Sequence, residues 1–112
     1  MNIQIEIFKA DSGKEPYTEW ADKLDMGTQL ILDKRLLRVR KGLLGDCKPL
    51  VGGDGVWELV IDYGPGYRIY FGKKGNKIIV LLIGGSKKSQ DRDIAKAKEY
   101  WKIEQEKTHG KK

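Results

Sequence analysis

Seven basic residues of this 112-residue chain, Arg68, Lys73, Lys74, Lys77, Lys87, Lys88 and Arg92, fall between Tyr63 and Arg92, where the only acid is Asp91. That segment accounts for the whole formal net charge of +6, because basic and acidic residues balance over the rest. A cationic block of this kind suits a polyanionic partner. On charge alone, a solvated sheet rim that aids solubility is an equal alternative. Tyr63, Tyr67 and Tyr70 interleave with the cations. Aromatic rings so placed suit stacking on unpaired bases, although a core role is the more ordinary fate of any one of them.

The remaining chemistry is set by scarcity. The single histidine, His109, sits near the end of the chain, and Cys47 is the only cysteine. An intramolecular disulfide is impossible, and one Cys with one His does not supply a usual zinc set, so no metal and no cofactor are expected. Proton transfer would have to rest on Arg, Lys, Tyr or a carboxylate. The N-terminus has neither a basic start nor a long apolar run, which argues against a secretory signal. The longest apolar stretch, Ile78 to Ile83, is too short for a bilayer. A cytoplasmic protein with no membrane partner is the expectation.

The elements that must hold these residues follow from periodicity. Ile3, Ile5 and Ile7 alternate with polar residues, as in a half-buried strand. Pro16 suits a first helical turn, and Tyr17, Trp20, Ala21 and Leu24 then share one face, with Gly27 as the stop. A second helix, from about Thr28 to Lys41, has Leu32, Leu36, Val39 and Leu43 falling on one narrow face, and with the first helix makes an αα-hairpin. Cys47 to Val51 is a short extended piece. Val56 to Tyr63 is a strand with Trp57, Leu59 and Ile61 on one side. Gly64-Pro65-Gly66 is a turn, Tyr67 to Phe71 a strand, and Gly75-Asn76 a tight hairpin. Ile78 to Ile83 is apolar at nearly every position, so it should be central and covered on both faces, ending at Gly84-Gly85. Ser89 is the expected cap of a last helix with an Ile94, Ala97 and Trp101 stripe. Residues 107–112 read as a frayed basic tail. The expectation is one domain over residues 1–112, of α+β class, with an antiparallel sheet.

Two stretches carry a family resemblance. The run from Trp57 to Phe71, with Asp62-Tyr63-Gly64-Pro65-Gly66-Tyr67-Arg68 at its centre, resembles the signature of HigB-like addiction module killer proteins of the RelE/ParE toxin superfamily. The run from Leu81 to Ala97, with Gly84-Gly85-Ser86-Lys87-Lys88, matches as well, and Gly45 to Pro49 resembles the piece that precedes the sheet. The resemblance implies a RelE-like fold: two N-terminal helices packed on a small antiparallel sheet, with a C-terminal helix. It also implies the toxin of a type II toxin–antitoxin system. The partner would be a small antitoxin, often a helix-turn-helix protein. The activity would be mRNA cleavage, frequently on the ribosome. A ParE-like inhibitor of DNA gyrase and a degenerate toxin that only binds its antitoxin are the alternatives.

Arg68 takes the family's strand arginine, whose planar fork can hold two phosphate oxygens; a salt bridge to Glu58 or Asp62 is its bland alternative. Lys87 matches the family's basic group ahead of the last helix, and Lys48 the lysine that precedes the sheet. Arg68, Lys87 and Lys48 are thus the expected catalytic set. Lys88, Tyr70, Lys73, Lys74 and Arg92 are the expected RNA contacts. Val60 departs from the family, where many relatives carry a second arginine. Asp93 and Ile94 stand where some enzymes of the superfamily have a tyrosine or histidine.

Overall fold

The structure, a computed structural model, describes residues 2–109, with side-chain surroundings through residue 107. The elements follow the chain as β1 (Gln4–Ile7), α1 (Pro16–Asp22), α2 (Met26–Arg40), β2 (Cys47–Pro49), β3 (Trp57–Ile61), β4 (Tyr67–Lys74), β5 (Ile78–Ser86), a 3-10 turn (Lys87–Ser89) and α3 (Gln90–His109). The strands form one sheet in the order β1-β5-β4-β3-β2. β2 to β5 pair antiparallel, but β1 runs parallel to β5, with Gln4 opposite Ile78 and Ile7 opposite Leu81. The sheet is therefore mixed, which corrects the antiparallel expectation. Alternating isoleucines decide which face of a strand is buried and carry no information about its direction.

The sheet separates two cores. Leu59, Ile61, Ile69, Phe71, Ile79 and Leu81 pack under α1 and α2 with Tyr17, Leu32 and Val39. Val56, Tyr70, Val80, Leu82 and Ile83 pack under α3 with Ala97 and Trp101. β5 is covered on both faces, as its uniform apolar run predicts. Leu82 and Ile83 both enter the α3-side core because the β4–β5 register shifts between Tyr70 and Phe71, the mark of a β-bulge.

Several boundaries differ from the sequence reading. β5 continues through Gly84 and Gly85 to Ser86. Those glycines admit close neighbours: a methyl on Gly84 would meet the Trp20 ring at 2.2 Å, and one on Gly85 would meet Asp93 Oδ2 at 1.8 Å. Gly27 does not stop the first helix but lies in the first turn of α2, whose cap is Asp25. The Thr28 N–H donates to Asp25 Oδ2 at 3.1 Å. Ser89 does directly precede α3, with its hydroxyl donating to Asp93, but a 3-10 turn capped by Ser86, which accepts the Lys88 N–H, comes before it. The frayed tail is corrected in part, because α3 runs through His109, while residues 110–112 lie outside the described residues.

The Thr28 hydroxyl and N–H hold the Asp25 carboxyl below its ordinary value. A depressed carboxyl supports the fold above the unfolded value, about 3.9, and that support fades as the pH falls through the depressed one. Asp25→Asn, which caps without titrating, is expected to flatten the acid limb of Tm against pH below roughly pH 4. Trp101, 5% exposed, lies against Gly72 of β4. Truncating it to alanine is expected to cost about 3–5 kcal/mol in denaturant unfolding.

Candidate functional site

Arg68 sits near the start of β4, in register with Val60 of β3 and Gly85 of β5. Side chains alternate along a strand, so Arg68 shares the α3-side face with Tyr70. Its Nε stands 3.3 Å from Glu58 Oε2, with 16% of the arginine side chain exposed and 4% of the glutamate. The contact is an ion pair rather than an aligned hydrogen bond, because Nε is sealed from solvent with no acceptor along its N–H. Gln90, the first residue of α3, donates from Nε2 to the same Glu58 oxygen at 3.2 Å. Of the two salt-bridge alternatives read from the sequence, Glu58 is the partner found.

Lys87 approaches from the other side. Its N–H donates to the Gly66 carbonyl at 2.9 Å, which ties the loop before α3 to the β3–β4 turn. Gly66 has φ +82, which disfavours any side chain. A methyl there would also stand 3.7 Å from Arg68 Nη1 and 3.9 Å from Lys87 Cβ. A guanidinium nitrogen of Arg68 and the first side-chain carbon of Lys87 thus flank one bare glycine, although the two residues are nineteen positions apart in the chain. Arg68 is largely buried against a carboxylate and yet adjacent to Lys87.

Lys48, exposed on β2, faces Glu58 across the β2–β3 ladder, and Glu58 faces Tyr70 across β3–β4. Residues directly opposite share a face, so Lys48 joins Arg68 and Lys87 on one side of the sheet. Two strand spacings separate it from Arg68, roughly 10 Å. The three expected catalytic residues therefore lie on a common face, with Glu58 between Lys48 and Arg68.

The expected RNA contacts divide. Lys88 and Arg92 are exposed at the start of α3. Lys73 lies on the opposite face, in register with Ile79, with its ammonium 3.8 Å from the Trp57 ring centroid. Lys74 stands six residues from Arg68 along β4, roughly 20 Å, in ion pairs with Glu104 at 2.9 Å and Glu6 at 3.5 Å. The Glu104 hydrogen bond raises its pKa. Tyr70 is 0% exposed, so stacking on a base is ruled out and that expectation is corrected. Its hydroxyl is buried without a partner, and burial beside Glu58 raises its pKa well above the usual value, so the proton stays on. Burial likewise pushes the Cys47 thiol up, away from the thiolate a nucleophile needs.

Two acids that the sequence reading named, but did not count among the site residues, are buried in it. Glu58 and Asp93 are 3% and 4% exposed, and Asp93 Oδ2 accepts the Ser89 hydroxyl at 2.5 Å. A signal for Glu58 was present. Trp57, Leu59 and Ile61 point one way, so Glu58 points the other, and β5 shows that this other face is covered too. A carboxylate at an inward position needs a cation or donors, and Arg68 and Gln90 meet that need.

No known protein-family profile matches the chain. An uncharacterized protein of Haemophilus influenzae is 37% identical over 83 residues, covering 73% of this chain and 82% of that protein. The chain belongs to the same family as that protein. Among the described residues no helix of this member is long and apolar enough to cross a membrane, and no group of three His, Cys, Asp or Glu side chains gathers as a metal site would require.

Proposed function

We propose that the protein is the toxin of a type II toxin–antitoxin system, with the RelE-like fold its motifs suggest, and that it cleaves messenger RNA without a metal. The observation that carries this is the meeting of Arg68 and Lys87 across Gly66, with the arginine held by Glu58. The bare glycine leaves room for a phosphate group that the exposed Lys87 side chain, rooted beside it, would reach, and a guanidinium anchored through Nε keeps its terminal nitrogens for the phosphate oxygens.

The chemistry would be in-line transesterification. The ribose 2′-oxygen, losing its proton to solvent water, attacks the adjacent phosphorus; the phosphorus–oxygen bond to the next nucleotide breaks as that 5′-oxygen takes a proton from water, and a 2′,3′-cyclic phosphate and a 5′-hydroxyl remain. Arg68 and Lys87 offset the extra charge on the phosphorane. Glu58 Oε2 already serves Arg68 and Gln90. Asp93, beside Gly85, is as buried as Glu58 and already accepts the Ser89 hydroxyl, so it would hold the start of α3 rather than take the 2′-hydroxyl proton. Lys48 adds positive potential from the neighbouring strand. The antitoxin, a small protein with acidic character, would neutralise the same cationic face.

One observation favours a second reading. An arginine so deeply paired with Glu58 is also what a structural salt bridge looks like, and it suits a ParE-like gyrase inhibitor or a toxin that only binds its antitoxin. A short pulse of expression without antitoxin separates the three. Shortened transcripts support cleavage, linear gyrase-bound DNA with intact transcripts supports the ParE-like reading, and normal growth supports the degenerate one.

A further inference from the structure

An open groove of about 850 Å³ runs between α1 and α3 on the far side of Gly85 from Arg68. Its floor is the last part of β5, beyond Leu81, where the pairing with β1 has ended. Lys14 and Lys23 stand on one wall, Lys88, Arg92 and Lys96 on the other. Among the described residues Lys14, Lys23, Lys88 and Lys96 have no carboxylate partner, in contrast to Lys74. Glu19 and Asp93 line the groove as well, against five cations, so the walls keep an excess of positive charge that an anion lying between them would relieve. Trp20, Tyr67 and Tyr100 also line the groove and are each half-buried, with Tyr100 stacked on Phe8 and Trp20 edge-on to Tyr67.

We infer that this groove is the track for a single strand of RNA leading away from the scissile phosphate. Cations along both walls follow a backbone, and half-buried rings offer surfaces to unpaired bases. Gly85 and Asp93 belong both to the groove and to the site around Arg68, so a strand threaded there meets the two cations without a break. Lys14 and Lys23 thereby acquire a role, although they lie outside the basic segment of the sequence. Lys96, one turn beyond Arg92, extends the same wall. The inference rests on the RNA-cleavage reading for its substrate but makes a separate claim about three lysines.

The test uses the full chain and a 2′-O-methyl RNA of about twelve nucleotides, which cannot be cut because the attacking hydroxyl is blocked. Binding is followed by fluorescence anisotropy over a range of salt. Replacing Lys14, Lys23 and Lys96 together with glutamine is expected to lower the slope of log K against log salt by about 2 and to weaken binding about 100-fold near 0.1 M salt. A charge-matched control, Lys34→Gln with Lys41→Gln and Lys102→Gln, is expected to change neither. Equal binding by the two triple variants overturns the groove and leaves RNA cleavage standing. Failure of the unaltered chain to hold this RNA, with an acidic peptide captured by the same three lysines instead, overturns it as well. Lysine-dependent binding by a chain that cuts no message supports the groove and removes the cleavage reading.

Discussion

Arg68→Lys is expected to lower RNA cleavage by roughly 10²-fold or more while leaving the protein folded. A lysine keeps a positive charge beside Glu58 but loses the fork that spans two phosphate oxygens. Arg68→Ala is the less informative change. Glu58 is 3% exposed, and removing its cation strands a charge in the α3-side core. Breaking a buried pair in this way costs about 3–5 kcal/mol, against about 5–15 kcal/mol for a whole domain. Lost toxicity in that variant would follow from unfolding as readily as from lost chemistry. Replacing both partners, Glu58→Leu with Arg68→Met, is expected to restore most of the stability and none of the cleavage. Thermal melting beside an RNA cleavage assay separates the two effects. A stable Arg68→Lys protein that cuts at the unaltered rate would remove Arg68 from the chemistry.

Gly85→Ala is expected to be the other large loss. The added methyl would fall 1.8 Å from Asp93 Oδ2 and 2.7 Å from Ser89 Oγ. Neither can yield cheaply, since Asp93 is buried in the first turn of α3 and Ser89 is hydrogen-bonded to it. The start of α3 must shift, and the Lys87 loop joined to it moves away from Arg68. Overpacking of this kind costs about 1–3 kcal/mol, and displacing a positioned cation by about an ångström is enough to cost on the order of 10²-fold in rate. Gly72→Ala supplies the comparison. Its methyl would collide with the Trp101 ring at 2.3 Å, far along β4 from Arg68. It is expected to lower Tm similarly and to leave the folded fraction active. Equal loss of activity in both variants would mean that Gly85 matters only for stability.

The sequence made much of this arrangement legible, and the gaps have physical causes. Helical spacing of Tyr17, Trp20 and Ala21, and of Leu32, Leu36 and Val39, located α1 and α2, and the apolar run at Ile78 marked the central strand. Proline, glycine and asparagine located the turns on either side of β4. The direction of β1 was not legible, because alternation is the same read either way. Gly84 and Gly85 looked like a strand end when their role is to admit Trp20 and Asp93, which only the packed neighbours reveal. Charge counting grouped Lys73 with Arg68, yet the two are an odd number of residues apart on one strand and must face opposite ways. Tyr70 does share the face of Arg68, but α3 seals that face at Tyr70 while leaving Arg68 partly open. Burial of this kind depends on where a distant helix docks. Lys14 and Lys23 stood outside the basic segment, and only the folding of α1 beside β5 brings them near Lys96.

In the proposed mechanism Arg68 and Lys87 together grip a phosphodiester that is then broken by its own neighbouring hydroxyl. Incubating the purified protein with messenger RNA in excess chelator and sequencing the products by their end chemistry tests it most directly. Fragments ending in 2′,3′-cyclic phosphate, matched by 5′-hydroxyl ends, are expected, and they should vanish with Arg68→Lys. Intact RNA from a folded, unaltered protein, or fragments that persist undiminished in the lysine variant, would contradict it.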